Sequence, residues 1–420
     1  MWIGRYALTL LCAAIIFPSL SFASSNNNAS NQGLLDMLYQ DHVITKKQYQ
    51  QLKQKEKHKG KYLPYLGGYM QLDAPLSVSH GNFLGSSTLL RRLYLSAQGK
   101  IGSSWKYKTQ FGFISGKAGV SSAVLSYLGL KPVSITFGYM KEPFSLDYMT
   151  SPTQLAFTER ALPIALVPGK KIGLRVGSHG QRWAIAGGIF GAKYNHVPLG
   201  SSEDKADQAR YGGSLRATFT PVVNQNIVWE VGASGAWRDT GRPYNYKFKT
   251  RPEEYVVGAT LAKTGTIANV QSVTSYGVET SLYDGPVSLQ GEYIGTRLNR
   301  DAGLGDPTFG GWYAQATWAL NGSARHFVPS KGKVVGVKPT APVSGGGLGA
   351  LELALRYSMV DLNDIGTNGG KERNITFGIN WYPESKIRIM LDDTRVLPLQ
   401  GGKYDGISSN IIEARAQVAF

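Results

Sequence analysis

From Tyr65 onward, apolar and polar residues exchange at every second position. Trp105, Tyr107, Thr109, Phe111 and Phe113 alternate with Lys106, Lys108 and Gln110. Leu351, Leu353, Leu355 and Tyr357 alternate with Glu352, Ala354 and Arg356, and Ile375, Phe377, Ile379 and Trp381 with Thr376, Gly378 and Asn380. A two-residue period places the two sets on opposite faces of a strand. The pattern predicts 16 strands, starting near residues 65, 88, 104, 121, 132, 171, 181, 209, 226, 272, 285, 309, 348, 372, 385 and 409. Brief turns join one side of each pair, at 102–104, 130–132, 178–180, 284–286 and 383–385. Longer polar loops, such as 142–170, 191–208 and 238–271, join the other side.

A soluble sandwich alternates in the same way, so the decision rests on what each face carries. Trp105, Trp183, Trp229, Trp237, Trp312, Trp318 and Trp381 sit near the ends of apolar faces, as an aromatic girdle requires. The chain ends on Phe420, after Ile412, Ala414, Ala416 and Val418 on one face, the form of a closing barrel strand. The expected fold is therefore all-β: a transmembrane antiparallel barrel of about 16 strands, preceded by a short N-terminal helical arm. Its outer face would meet outer-membrane lipid and lipopolysaccharide, and its lumen would hold water.

The N-terminal region reads differently. Residues 1–23 form a secretory signal: Arg5, an apolar core from Leu8 to Phe17, and Ser21-Phe22-Ala23 before the cleavage point. A lipoprotein signal would cleave before Cys12, but Leu10-Leu11 lacks the small residue such cleavage uses. Losing the signal removes Cys12, the one cysteine, and Arg5, so the net charge falls from +17 to +16. Residues 24–33 are a polar linker, 34–61 a helical periplasmic arm and basic linker, and 62–420 the barrel. Leu34, Leu35 and Leu38 share one helical face, and Thr45 can cap a second short helix carrying Tyr49 and Leu52. Such an arm is either docked or partly disordered, or it associates with other copies as a small coiled coil.

Parity places twelve cations in the lumen: Arg92, Lys106, Lys108, Arg175, Arg182, Arg210, Arg216, Arg238, Arg297, Arg356, Arg388 and Arg415. Six acids join them: Glu230, Glu279, Glu292, Glu352, Asp392 and Glu413. An excess of positive charge between low-dielectric walls concentrates anions. The competing reading pairs each acid with an arginine and leaves a modest field. None of the six histidines falls on an inward strand position beside a Ser and an Asp or Asn, and none makes H-E-x-x-H, so neither enzyme nor metal chemistry is expected. No cofactor is implied. The basic residues are spread over inward faces and one tail, which argues against nucleic acid.

Several stretches carry a resemblance. LLRRLYLSAQGKIGSSWKYKTQFGF, ITFGYMKEPFSLDYMTSP, FTERALP with the following PGKKIGL, ALELALRYSMVDLND and ITFGINWYPESKIRI resemble the phosphate-selective porin O and P family of Gram-negative outer membranes. The resemblance implies a barrel that is usually trimeric, with loop 142–170, including Glu159 and Arg160, folded inward as the constriction. It implies an anion path on which Arg91 and Arg92 match the paired arginines of R-R-x-Y, Tyr94 completes that motif, and Lys106 matches the lysine of W-K-Y. With Lys108, Arg175, Arg182, Arg210 and Arg216 these make up the expected path for small anions such as phosphate. Parity alone turns Arg91 outward, which a bulge or a position above the lipid band would reconcile. The chain departs from the family pattern at Tyr148-Met149, where a neck lysine is expected, and at Gly67-Gly68-Tyr69, where an arginine is expected. The expected function is passive anion-preferring transport, with phosphate or polyphosphate leading. The alternatives are a non-selective porin or a barrel whose long loops bind external partners.

Overall fold

The computed structural model describes residue 39, residues 45–50 and residues 64–420, except 80–85, 115–116, 192–210 and 302. The signal, the linker, most of the arm, Arg210 and nearly all of loop 191–208 lie outside the described residues. Within the arm, residues 46–50 are helical. Gln48 Oε1 accepts from the Thr45 amide at 2.9 Å, and Thr45 Oγ1 accepts from the Gln48 amide at 3.3 Å, a reciprocal cap.

Sixteen antiparallel strands close a barrel in simple up-and-down order. They are β1 (Tyr65–Ser79), β2 (Leu89–Ile101), β3 (Trp105–Ile114), β4 (Lys117–Tyr127), β5 (Ser134–Lys141), β6 (Lys170–His179), β7 (Trp183–Phe190) and β8 (Tyr211–Val223). The remainder are β9 (Ile227–Tyr246), β10 (Ile267–Asp284), β11 (Val287–Arg300), β12 (Thr308–Ala319), β13 (Ala350–Asp364), β14 (Thr367–Glu384), β15 (Ile387–Val396) and β16 (Ser409–Ala419). All sixteen begin within five residues of the positions that periodicity predicts. Strands β9 and β10 run further than expected, so the loop expected over 238–271 shrinks to 247–266.

The seam pairs β1 with β16, Tyr69 opposite Ala419. Gly68 and Phe420 exchange two backbone hydrogen bonds, each 3.0 Å. A Cβ on Gly68 would lie 2.7 Å from the Phe420 ring, so a glycine is needed for the terminal aromatic to lie against β1.

The outer face is apolar. Leu95, Phe111, Phe137, Ile189, Leu215, Val278 and Leu355 are all exposed, an arrangement stable only against lipid. The seven barrel tryptophans are exposed with them. The packed interior lies inside the lumen, where loops fill it. Phe144, Leu162 and Leu166 of loop 142–169 and Phe248 of loop 247–266 pack on Ile294, Leu298, Phe309 and Val360. At the short-turn rim one connection departs from expectation. Residues 320–349, between β12 and β13, form a small hairpin (His326–Val328 with Lys333–Val335) instead of a tight turn.

Leu355 is 53% exposed and faces Ala316, between the tryptophans Trp312 and Trp318 of β12. Leu355→Arg should lower the barrel's unfolding free energy in lipid by about 2–4 kcal/mol. Denaturant titration in vesicles checks this; an unchanged midpoint would mean that this face does not meet hydrocarbon.

Candidate functional site

The paired arginines of β2 owe their placement to a bulge. Gln71 of β1 faces Arg92, and the next residue, Leu72, faces Leu90, so Arg91 has no partner across the ladder. The extra residue lets both guanidiniums serve the interior. They meet at Glu159 of loop 142–169. Arg91 Nε donates to Glu159 Oε1 at 2.7 Å and its Nη2 to Oε2 at 3.1 Å. Arg92 Nη2 donates to Oε2 at 2.8 Å, and Arg415 Nη2, from β16, to Oε1 at 2.9 Å. Arg415 also makes two 2.6 Å bonds to Asp73 of β1. All of these groups are buried. Burial alone would raise the Glu159 carboxyl's pKa. The guanidiniums of Arg92, Arg91 and Arg415 overcome that and hold it well below the usual carboxylate range. Tyr94, completing the motif, is buried against Tyr69, with ring centroids 4.9 Å apart.

The loop is fastened along its whole length. Glu292 of β11 accepts from the Leu146 and Asp147 amides at 3.0 and 2.6 Å. Asp392 of β15 accepts from the Thr158 amide at 2.7 Å, and Ser358 of β13 from the Leu162 amide at 2.9 Å. Arg388 Nη1 donates to the Leu155 carbonyl at 2.6 Å. Phe144, Leu146, Leu155, Phe157 and Leu162 are buried, and Ile164 is half-buried. The loop therefore crosses from its root at β5 and β6 to the β9–β16 wall and the seam. At the neck, Arg160 Nη1 lies 3.3 Å from Asp147, and its Nη2 donates to the Thr150 carbonyl at 2.6 Å. Where a lysine was expected, Tyr148 has the amine of Lys141 4.8 Å from its ring centroid.

The charges divide by wall. Five of the six expected acids are engaged on β9–β15. Glu230 accepts from Ser281, Glu279 pairs with Arg216 at 2.5 Å, Glu352 pairs with Arg325 at 2.5 Å, and Glu292 and Asp392 hold the loop. Glu413 lies 3.8 Å from Arg415. Arg238 pairs with Glu142, Arg356 with Glu253 at 2.9 Å, and Arg297 with Asp306 at 3.1 Å.

Lys106, Lys108, Arg175 and Arg182, by contrast, have no ion pair among the described residues. Lys106 faces Lys100 across the β2–β3 ladder. Among the described residues Arg175 makes only a 3.5 Å contact to Thr136 Oγ1. Lys170, which parity did not single out, joins this set and donates to the Ser121 carbonyl and hydroxyl, both at 2.7 Å. The Lys170-Lys171 pair opening β6 was its only signal. The geometry thus separates the expected path residues. Arg91, Arg92 and Arg216 hold structure through carboxylates, whereas Lys106, Lys108, Arg175 and Arg182 have no carboxylate partner among the described residues.

Sequence reasoning missed the 320–349 connection as a pore element. Arg325 Nη1 donates to the Gln154 carbonyl at 2.5 Å, and Gln154 Oε1 accepts from the Gly336 amide at 2.6 Å. Phe327 and Val334 pack on Leu146 and on Tyr283 of β10. The hairpin tip reaches β8, where the Gly332 carbonyl accepts from Arg216 Nη1 at 2.9 Å.

Residues 36–420 match the family model described as phosphate-selective porin O and P. Porin O of Pseudomonas aeruginosa is 24% identical over 77% of this chain and 80% of its own length. An uncharacterised protein of Caulobacter vibrioides is 28% identical over 83% of this chain and 71% of its own. Among solved structures, OprB of Pseudomonas putida superposes with a TM-score of 0.54 at 10% identity, covering 88% of this chain and 96% of that one. The anion-selective porin of Comamonas acidovorans gives 0.50 at 14%, covering 85% and 99%. At these identities the structural likenesses speak for the fold.

Glu159→Gln strips the shared charge from three buried guanidiniums. Arg415 keeps Asp73, but Arg91 and Arg92 lose their carboxylate partner, which should weaken docking of the loop by about 3–5 kcal/mol. Trypsin should then cut after Arg160 faster, and single-channel current should become noisier. Equal cleavage and equal noise would remove Glu159 from the loop's anchorage. The depressed carboxyl adds its stability above the ordinary carboxylate range and loses it only as pH falls through its own lower pKa. The loop should therefore stay docked, with no rise in current noise, from about pH 8 to pH 5, since Glu159 keeps its charge throughout that window.

Proposed function

The chain belongs to the phosphate-selective porin O and P family of outer-membrane porins, and from that premise we propose that its pore prefers small anions, phosphate or polyphosphate above all. The observation that carries the reading is the division of charge between the walls. Acids face the half of the lumen that the constriction loop occupies, and arginines or loop amides engage most of them. Cations without a carboxylate partner line the half the loop leaves. A solute passing there meets Lys170 towards the long-loop rim, then Lys108, Lys106 and Arg175, and Arg182 at the short-turn rim. Lys106 stands eight residues down the ladder from the level of Arg92, about 27 Å along the wall. The cations therefore act as successive stations and do not grip one ion together.

Each station contributes on the order of 1 kcal/mol in a wet lumen. A porin, which must release what it admits, needs attraction of that size and no more. Lys141 and Arg160 beside Tyr148 supply positive charge at a neck that lacks the expected lysine. Two of the long connections turn inward, which weighs against a barrel built chiefly to present loops to external partners. Homotrimeric assembly belongs to the same proposal on family grounds. A Vibrio cholerae porin of similar fold, with a TM-score of 0.50, is described in a trimer form.

Zero-current potentials in a potassium chloride gradient test this reading. The parent should prefer chloride, and Lys108→Ala combined with Lys170→Ala should reduce that preference several-fold without abolishing conductance. A parent with no preference would make the pore a non-selective porin, and a double variant identical to a chloride-preferring parent would place selectivity elsewhere.

A further inference from the structure

The outer wall changes character where β14 and β15 approach the long-loop rim. On β14, Trp381, Ile379, Phe377 and Ile375 share the outward face, and the next residue of that set is Arg373. On β15, Ile387, Ile389 and Leu391 are followed on the same face by Asp393 and Arg395. Strand β14 pairs with β13 without a break from Lys371 to Tyr382, and β15 with β16 from Ile387 to Val396. The period of two therefore carries both arginines outside. Arg395 faces Ile375 across the ladder, which makes Arg373 its diagonal neighbour, about 7–8 Å away between Cα atoms. Arg373 lies eight residues from Trp381, about 27 Å along the strand and, at a tilt of about 40°, about 21 Å up the wall. A barrel's apolar band is about 25 Å tall, so both guanidiniums reach the headgroup layer by extending away from the hydrocarbon.

Neither arginine has a carboxylate partner among the described residues. Arg373 Nη2 donates to the Pro398 carbonyl at 3.0 Å, which orients the side chain along the 397–408 connection. Arg395 is exposed. Lys371, two residues further out, shares a part-exposed pair with Asp361 at 3.5 Å, a contact that a stronger anion can displace. Asp393 lies two residues nearer the hydrocarbon than Arg395, below the two arginines and not between them. Arg297 of β11, expected in the lumen, also faces outward, but Asp306 already holds it at 3.1 Å. Below Arg395 the wall is hollowed. Ala414 and Ala416 of β16 face Leu391 and Ile389 on one side and Ala74 and Leu72 of β1 on the other, so the alanines leave a furrow along the strand.

We propose that this face is a binding site for a phosphorylated, multiply acylated glycolipid of the outer leaflet, the lipopolysaccharide class, with Arg373 and Arg395 on one sugar phosphate and an acyl chain in the alanine furrow. The site goes beyond the transport reading and does not depend on it, since its residues face away from the lumen. Charge complementarity selects the ligand. A sugar phosphate at headgroup height offers oxygens to two guanidiniums at once, and Lys371 joins as a third donor when it leaves Asp361. The same molecule carries the chains that the exposed apolar strip below the arginines requires. The furrow and the arginines act together, because a chain seated in one holds the phosphate at high effective concentration beside the other. Inorganic phosphate has the charge without the chains.

The experiment titrates the full-length protein, folded in detergent, with diphosphorylated lipid A and counts the retained lipid by native mass spectrometry. The parent should bind the diphosphorylated form about tenfold more tightly than the dephosphorylated one. Arg373→Ala combined with Arg395→Ala should weaken binding of the diphosphorylated form about tenfold, and Arg297→Ala should leave it unchanged. Ala414→Phe, which fills the furrow, should weaken binding of both forms. A heat-modifiable gel shift checks that each variant folds. Arg395→Ala alone keeps the test if the double variant does not, because the Arg395 side chain has no ion pair or hydrogen bond among the described residues. In bilayers the arginine variants should keep the parent's ion preference. Equal retention of the two lipid forms, equal binding by parent and double variant, or equal displacement by phosphatidylglycerol or by inorganic phosphate at the same concentration overturns the site. A changed ion preference in the arginine variants overturns it as well, since that would place them in the lumen.

Discussion

A carboxylate inside a barrel lumen must find cations, and Glu159 finds three at once, from both sides of the seam. Arg91 and Arg92 come from β2 and Arg415 from β16, with β1 between them supplying Asp73 and Gln71. Removing two or three charged groups from water costs several kcal/mol each unless every lone pair and proton is met. That demand explains the bulge. A regular β2 would point Arg91 at lipid, leaving Glu159 short of a donor and a guanidinium in hydrocarbon. Skipping one residue opposite Leu72 satisfies both groups, and it fixes where the constriction loop ends its crossing.

The remaining charge distribution follows from that anchorage. A loop tied to the seam and to β9–β15 consumes the acids of that half, through arginine forks or its own amides. The constriction loop makes no such demand on the opposite wall, so Lys106, Lys108, Arg175 and Arg182 keep no carboxylate partner among the described residues. The side-chain chemistry matches the division. Arginine's planar fork suits paired docking of a carboxylate, and Arg91, Arg216, Arg325 and Arg415 are used in that way. Lysine is a hydrated point charge that attracts without gripping, and Lys106, Lys108 and Lys170 stand on the open side. Positive charge counted along the sequence therefore overstates the field that a solute meets.

The barrel itself was legible because its period is set by lipid. Outward residues at the level of the hydrocarbon must be predominantly apolar on all sixteen strands, and that requirement survives local irregularity. The loop's inward fold was legible too, through Phe144, Leu146, Leu155, Phe157 and Leu162, which no external loop would carry. The pairings were not. Arg91 and Glu159 are 68 residues apart and Arg415 and Glu159 are 256 apart, separations that alternation cannot relate. Parity also placed Arg216 on the path, since a period of two reports the face but not the partner. The 320–349 hairpin escaped because its two strands are three residues each, too short to show a period. Phe327 and Val334, either side of Pro329 and Gly332, were the only trace of a buried turn.

That hairpin changes what sets the aperture. It and the constriction loop enter from opposite rims and bond to each other, through Arg325, Gln154 and Gly336 and through the packing of Phe327 and Val334 on Leu146. Neither can swing aside without exposing the apolar contact to lumen water and leaving Gln154 or Arg325 unsatisfied. Arg325 is itself held by Glu352 of β13, and Gly332 by Arg216 of β8, so the pair is braced against two separate strands of the wall. A passage bounded in this way has a nearly fixed width. On the proposed anion-preferring reading, discrimination falls to the charges at its edges: Lys141 and Lys170 at the roots of the loop, and Lys331 and Lys333 on the hairpin. One connection from each rim supplies part of the field, and the strands between them supply the rest.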